Sequence, residues 1–201
     1  MVIESAYGSR SIIDLFPAFE NNRITFSRLS KVSADIGVTT TYGIKYVLEE
    51  KESYLVNGHE YKVNAGSFLL VNAGQHLACE FKHETTVKGI CIHLNPDLLG
   101  RMYYELQTSE EQLLDYPGDA TIFPEFHEAV YAPSYPLSCF LKKFVLETNN
   151  MPAEEPAMSE MYQNIAFQLL STQKITMAQI QKINASRKST KKELFNRLIK
   201  A

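Results

Sequence analysis

The sequence predicts an α+β chain, with an antiparallel β-rich first half and an α-helical second half. Up to residue 95, short runs rich in Tyr, Val, Ile and Phe are cut by turn residues every ten or so positions, the cadence of a sandwich or barrel. Beyond residue 95 the apolar positions recur at helical spacing instead. The 201 residues are 45% apolar and 21% charged, a balance that buries a core and excludes wholesale disorder. Such a length suits one domain, or one domain with an appendage.

The strands follow in order. Residues 24–33 form a weak candidate, and 42–49 and 54–56 are clearer. Asn57-Gly58 then marks a tight hairpin turn into 61–63, because such turns need residues that tolerate positive φ. Asn64-Ala65-Gly66 turns the chain into 67–72, and Ala73-Gly74-Gln75 turns it into 77–81. A polar stretch, 82–85, separates that strand from the strongly apolar 87–94.

Asn95-Pro96-Asp97 supplies a cap and a first-turn proline for a helix over 98–106. Ser109-Glu110-Glu111 opens another short helical piece, and Pro117, Pro124, Pro133 and Pro136 divide the middle into loops. Residues 138–148 place Phe140, Leu141, Phe144 and Val145 on one helical face. An acidic connector over 151–156 precedes a long helix from 158 to about 183, within which Thr176 is placed to cap a break. A polar linker over 184–190 leads to a last helix, 191–201.

Charge is uneven. Residues 187–201 carry six basic side chains against Glu193, net +5, so the net −3 of the whole leaves −8 on the rest. An acidic body with a basic end is a hint of nearby nucleic acid. No run approaches the ~20 apolar residues that span a bilayer. The N-terminus has no secretory pattern. Cys79, Cys91 and Cys139 are odd in number and unclustered, which argues against a disulfide framework. Together these predict a cytoplasmic protein that does not enter membranes.

Enzyme motifs are sparse. There is no pair of carboxylates at glycosidase spacing, no glycine-rich phosphate loop and no Gly-x-Ser-x-Gly elbow. His59, His83 and His127 fall in turns or loops and are expected in solvent; His76 and His93 sit at strand ends.

The run Gly66-Ser-Phe-Leu-Leu-Val-Asn-Ala-Gly-Gln-His76 resembles the second cupin motif, and Tyr46-Val47-Leu48-Glu49 resembles the strand of the first. The resemblance implies a jelly-roll barrel. Cupin metals are held by a His-x-His pair and a Glu of the first motif, yet residues 38–45 contain none of these, and Ala73 stands where proline is usual. His76 alone cannot supply the three protein ligands of a catalytic metal site. No metal, no cofactor and no enzymatic activity are therefore expected.

At the other end, the run from Arg187 to Ala201 resembles the linker and first helix that introduce the DNA-binding module of AraC-type bacterial transcription regulators. That resemblance implies a cupin-like sensor barrel over 1–95, a helical dimerisation region over 96–186, and a linker with first helix over 187–201. It also implies a homodimer, a small-molecule effector in the barrel, and DNA contact only through a helix-turn-helix module that lies beyond the last residue. The stripe Leu194, Phe195, Leu198, Ile199 runs to the end without a cap, as in a piece of a longer protein. A metal-dependent cupin isomerase or dioxygenase is the alternative, weakened by the missing ligands. A purely structural barrel is the third reading, and the basic tail counts against it.

Residues 87–94 are apolar on both faces, so periodicity leaves open which set points inward. The set with polar tips, Tyr42, Tyr46, Tyr54, His76, Cys91 and His93, is the candidate effector site, since ligand pockets combine apolar walls with a few convergent polar groups. The homodimer is expected to form through the long helix, with Met161, Ile165, Leu169 and Ile180 at the interface and Ala166 and Phe167 widening its apolar arc.

Overall fold

The computed structural model describes residues 11–109, 123–147 and 154–198. The short helical piece expected at 109–111 and the Pro117 loop fall mainly outside the described residues. Among the described residues, eight antiparallel strands build one sheet that curls into a nearly closed barrel, and four helices cover one side of it.

The strands are β1 (Ser11–Asp14), β2 (Arg23–Val38), β3 (Tyr42–Glu49), β4 (Lys51–Val56), β5 (His59–Asn64), β6 (Phe68–Val71), β7 (His76–Leu94) and β8 (Val130–Tyr131). Their order is β1-β2-β7-β3-β6-β8, while β4 pairs with both β5 and β7. β7 curls the sheet: its last part pairs with β3, its first part with β4, and β2 follows both. The expected break at 82–85 is instead an irregularity inside one long strand. Leu29 pairs with Val87 and Lys31 with Lys82, so the polar stretch bulges out while pairing resumes on either side. Asn57 and Gly58 both take positive φ, as the hairpin between β4 and β5 requires.

The helices are α1 (Pro96–Gln107), α2 (Pro136–Glu147), α3 (Glu155–Lys182) and α4 (Lys188–Leu198). The Asn95 side chain accepts from the Asp97 N–H at 3.1 Å, the cap its sequence predicts. α3 does not break at Thr176. That hydroxyl donates to the Thr172 carbonyl at 2.9 Å and is satisfied inside the continuing helix.

Two apolar cores result. Ile24, Ile44, Tyr46, Phe68, Leu70, Ile90 and Ile92 leave the sheet on one face and meet Leu99, Leu137, Leu141, Ile165 and Leu169 of the helices. Val47, Tyr54, Val56, Val63, Leu69, Val71, Leu77 and Val87 fill the barrel from the other face. Met161, Ile165, Leu169 and Ile180, the expected dimer residues, are all buried within the chain's own fold, the first three in the helix-side core. The large apolar side chains α3 does expose are Phe167 and Ile175, at 45% and 42%. Long amphipathic stripes read alike whether they pack on a sheet or on a partner; here the sheet takes the stripe.

Candidate functional site

Register decides what enters the barrel. Lys45 pairs across with Cys91, and Cys91 with Thr25; Gly43 pairs with His93, and His93 with Arg23. Residues directly opposite share a face, and successive residues alternate faces. Since Ile44, Ile90 and Ile92 face the helices, Thr25, Lys45, Cys91 and His93 face the interior. β4 adds Glu52 and Tyr54 from across the barrel, where Tyr54 lies in the interior core.

This interior is polar at its centre. Lys45 is only 3% exposed and Glu52 2%. The Lys45 ammonium lies 3.5 Å from His93 Nε2. An ammonium has only protons to give, so Nε2 must accept, which puts the ring proton on Nδ1, 3.3 Å from Thr41 Oγ1. Burial, then Lys45 and Arg23, push His93 down to about 3, which keeps the ring neutral. The Tyr54 hydroxyl donates to the Glu52 carboxyl. Burial raises Glu52, against the Tyr54 hydrogen bond and the charge of Lys45. Burial also drives the Tyr54 phenol well above its ordinary value and raises the Cys91 thiol, the latter opposed by Lys45. Gly89 makes room for Glu52: a Cβ there would sit 3.0 Å from Glu52 Oε1 and 3.2 Å from Ser27 Oγ.

Of the six expected pocket residues, the structure brings together Tyr54, Cys91 and His93. Tyr42 and Tyr46 point the other way, into the helix-side core, and the Tyr42 hydroxyl donates to the Pro124 carbonyl at 2.7 Å. His76 stands half-exposed at a barrel end, Nε2 3.2 Å from Asp35 Oδ1, away from the cluster. Lys45 and Glu52 were not anticipated, because a charged residue in a strand ordinarily signals the solvent face. Only the pairing of Lys45 with Cys91 discloses its direction. Among the described residues, no group of three or more His, Cys, Asp or Glu side chains is placed to hold a metal. All three cysteines are free thiols.

A second polar cluster ties the barrel to the last helix. Residues 123–129 run along the edge of β6, where Asn72 exchanges two hydrogen bonds with the Phe126 backbone, at 2.9 and 3.0 Å. The next residue, His127, is buried rather than solvated as its loop position suggested. Its N–H donates to Gln173 Oε1 of α3 at 3.0 Å, Gln173 Nε2 donates to the Tyr131 hydroxyl at 2.7 Å, and that hydroxyl donates to the His127 carbonyl at 2.6 Å. His127 Nε2 meets Asn196 Oδ1 of α4 at 2.8 Å, and its ring lies edge-on to Phe195, the one buried residue of α4.

An antiparallel barrel of cupin type, with charged and polar groups sealed inside and helices on one side, is thus the class of domain that the fold and the cluster define. The model of the AraC-like ligand binding domain matches residues 35–139, just over half of the chain, and the protein belongs to that family. No curated protein matches the chain in sequence. Similar solved structures include a cupin 2 conserved barrel domain protein from Leptotrichia buccalis, 14% identical over 45% of this chain and 43% of that one, with a TM-score of 0.39. The cupin_2 domain of an XRE family transcriptional regulator from Enterobacter cloacae is 11% identical over 43% of this chain and 97% of its own, with a TM-score of 0.40. A predicted oxalate decarboxylase from Thermotoga maritima is 17% identical over 43% of this chain and 80% of that one, with a TM-score of 0.39.

Proposed function

We propose that this chain is the effector-sensing domain of an AraC-type transcription regulator, acting by binding rather than by catalysis. The observation that carries the reading is the interior cluster of buried Lys45, Glu52 and Tyr54 with partly accessible Cys91 and His93, inside the barrel of a ligand-binding family. A core needs none of these groups, and each costs free energy to desolvate. A small molecule that replaces water and lends hydrogen bonds gives them a purpose.

Binding matters to a regulator only if the effector holds one arrangement of the chain better than another. The segment 123–131 is placed to carry that difference, because it bonds β6 at one side and α3 and α4 at the other. α4 then passes the change to a helix-turn-helix module downstream, which alone reads DNA, inside the cytoplasm. Pairing with a second copy would use Phe167 and Ile175, the large apolar side chains that α3 leaves exposed.

Native mass spectrometry of the purified protein tests the sensing function by looking for a small molecule that co-purifies; hydrogen exchange before and after its removal must then differ in α4. A molecule that binds the barrel and leaves α4 exchange unchanged argues against transmission. For the dimer, Phe167→Glu should give a folded monomer by light scattering, whereas Leu169→Glu should unfold the chain because a lone charge would be buried. A wild-type chain that is monomeric at high concentration removes the pairing.

A further inference from the structure

We infer that the effector of this barrel is a small organic monocarboxylic acid whose carboxylate sits on the Lys45 ammonium; the inference rests on the barrel being the ligand site. The starting point is a buried charge that no direct ion pair compensates. Lys45 is 3% exposed, yet among the described residues its nitrogen has no carboxylate within 4.0 Å. Its side-chain neighbours are neutral, His93 at 3.5 Å, the outer limit of a hydrogen bond, and the Cys91 thiol. Glu52, the other buried ion-forming group, accepts from Tyr54 and lies against Gly89 and Ser27. A buried ammonium held only this loosely is costly, and a carboxylate is the partner that offsets the cost by charge-assisted hydrogen bonds.

The surroundings narrow the class. Cys91 and His93 face the interior and keep part of their surface accessible, so the cluster is open to a small molecule beside Lys45. Arg23, on the same row as His93, is already committed to Asp14 at 2.5 Å and does not add a second cation. One uncommitted positive charge matches one negative charge, which favours a carboxylate over a phosphate dianion. His93 and Cys91 are the neutral groups beside that end, and Thr41 holds the other ring nitrogen of His93. Behind these groups the interior core of Val47, Leu69, Val71 and Val87 is apolar.

Matched probes test this on the whole chain: benzoate, benzamide and benzyl alcohol, with hexanoate, hexanamide and hexanol, followed by calorimetry and thermal shift. At least one acid should bind at least tenfold more tightly than its own amide and alcohol. Lys45→Met should erase that advantage, weakening the acid by about tenfold to a hundredfold, as expected for a hydrogen bond to a charged group. The amide should bind wild type and variant alike. Should Lys45→Met fail to fold, Lys45→Gln and the wild-type His93 ring ¹⁵N resonances serve instead, because an acid that draws the ammonium off Nε2 must shift them. Equal binding of acid and amide overturns the proposal, as does an acid preference that survives Lys45→Met with no change at His93. Tighter binding of inorganic phosphate than of every acid overturns it too. A neutral molecule found co-purified in the barrel would refute the carboxylate while leaving the sensing function intact. An empty barrel that none of the probes enters would refute both.

Discussion

Along β3 and β7, Ile44, Tyr46, Ile90, Ile92 and Leu94 lie on one face, while Gly43, Lys45, Gly89, Cys91 and His93 lie on the other. The first set is buried against three helices and contains only apolar bodies, and the Tyr42 hydroxyl on the same face donates to the Pro124 carbonyl. The second holds two glycines, a cation, a thiol and an imidazole in the same sheet and at the same depth. What differs is the neighbour. The helices supply close-packed carbon, which rewards area and shape. The interior of a barrel has to be filled by its own strands or by something that enters. One sheet therefore separates the part that holds the domain together from the part free to vary in chemistry.

That separation is broken most directly by truncation. Ile92→Ala removes a side chain with no exposed surface from the helix-side core and should cost about 2–5 kcal/mol in urea unfolding. Its neighbour Cys91→Ala, on the interior face where surface remains accessible, should cost clearly less. Equal losses would mean that the interior is packed as tightly as the helix side.

Acid titration gives the next largest effect. Folded His93 sits near 3 against an ordinary 6.5, so the unfolded chain takes up a proton that the folded chain refuses. Stability should fall as pH drops below 6.5, by at most about 1.4 kcal/mol per unit from this group. His127, also lowered by burial, acts in the same direction. Glu52 acts oppositely: its raised value lets the folded chain bind a proton first, which returns stability at lower pH. His93→Gln should flatten the limb between pH 6.5 and 5 in urea midpoints. A wild-type midpoint that does not move across that range would contradict a buried neutral ring.

The same two faces explain what could be read from the sequence. The β-then-α order, the Asn57-Gly58 hairpin and the Asn95 cap are local chemistry and were legible. The face of a strand is not local. Residues 87–94 present bulky apolar side chains on one parity and Cys91 and His93 on the other, and choosing polar tips there selects the interior. The same choice on β3 selects Tyr42 and Tyr46, which face the helices because Tyr46 pairs with Ile90 and Lys45 with Cys91. Tyrosine carries an apolar ring as well as a hydroxyl, so its tip is no guide to direction. Lys45 and Glu52 looked like solvent residues for the same reason of type. The seam of His127, Gln173 and Asn196 joins residues 46 and 69 positions apart, a separation that no periodicity spans.

The smallest expected effect lies in that seam and asks whether it belongs with the structural face or the responsive one. Asn196→Ala removes the acceptor from His127 Nε2 and leaves the Phe195 ring on the imidazole. A single hydrogen bond of this kind contributes about 0.5–1.5 kcal/mol, too little to shift global unfolding far. α4 has one buried side chain and a mostly polar surface, so it should open locally well before the barrel does. Hydrogen exchange of α4 amides should therefore quicken by roughly twofold to tenfold in the variant, as that free energy implies, with β3 and β7 amides unchanged. Exchange that rises equally across β7 would place α4 inside the main cooperative unit. A helix locked into that unit could not be released by anything bound in the barrel, and the route from Asn72 through His127 to Asn196 would be structural alone.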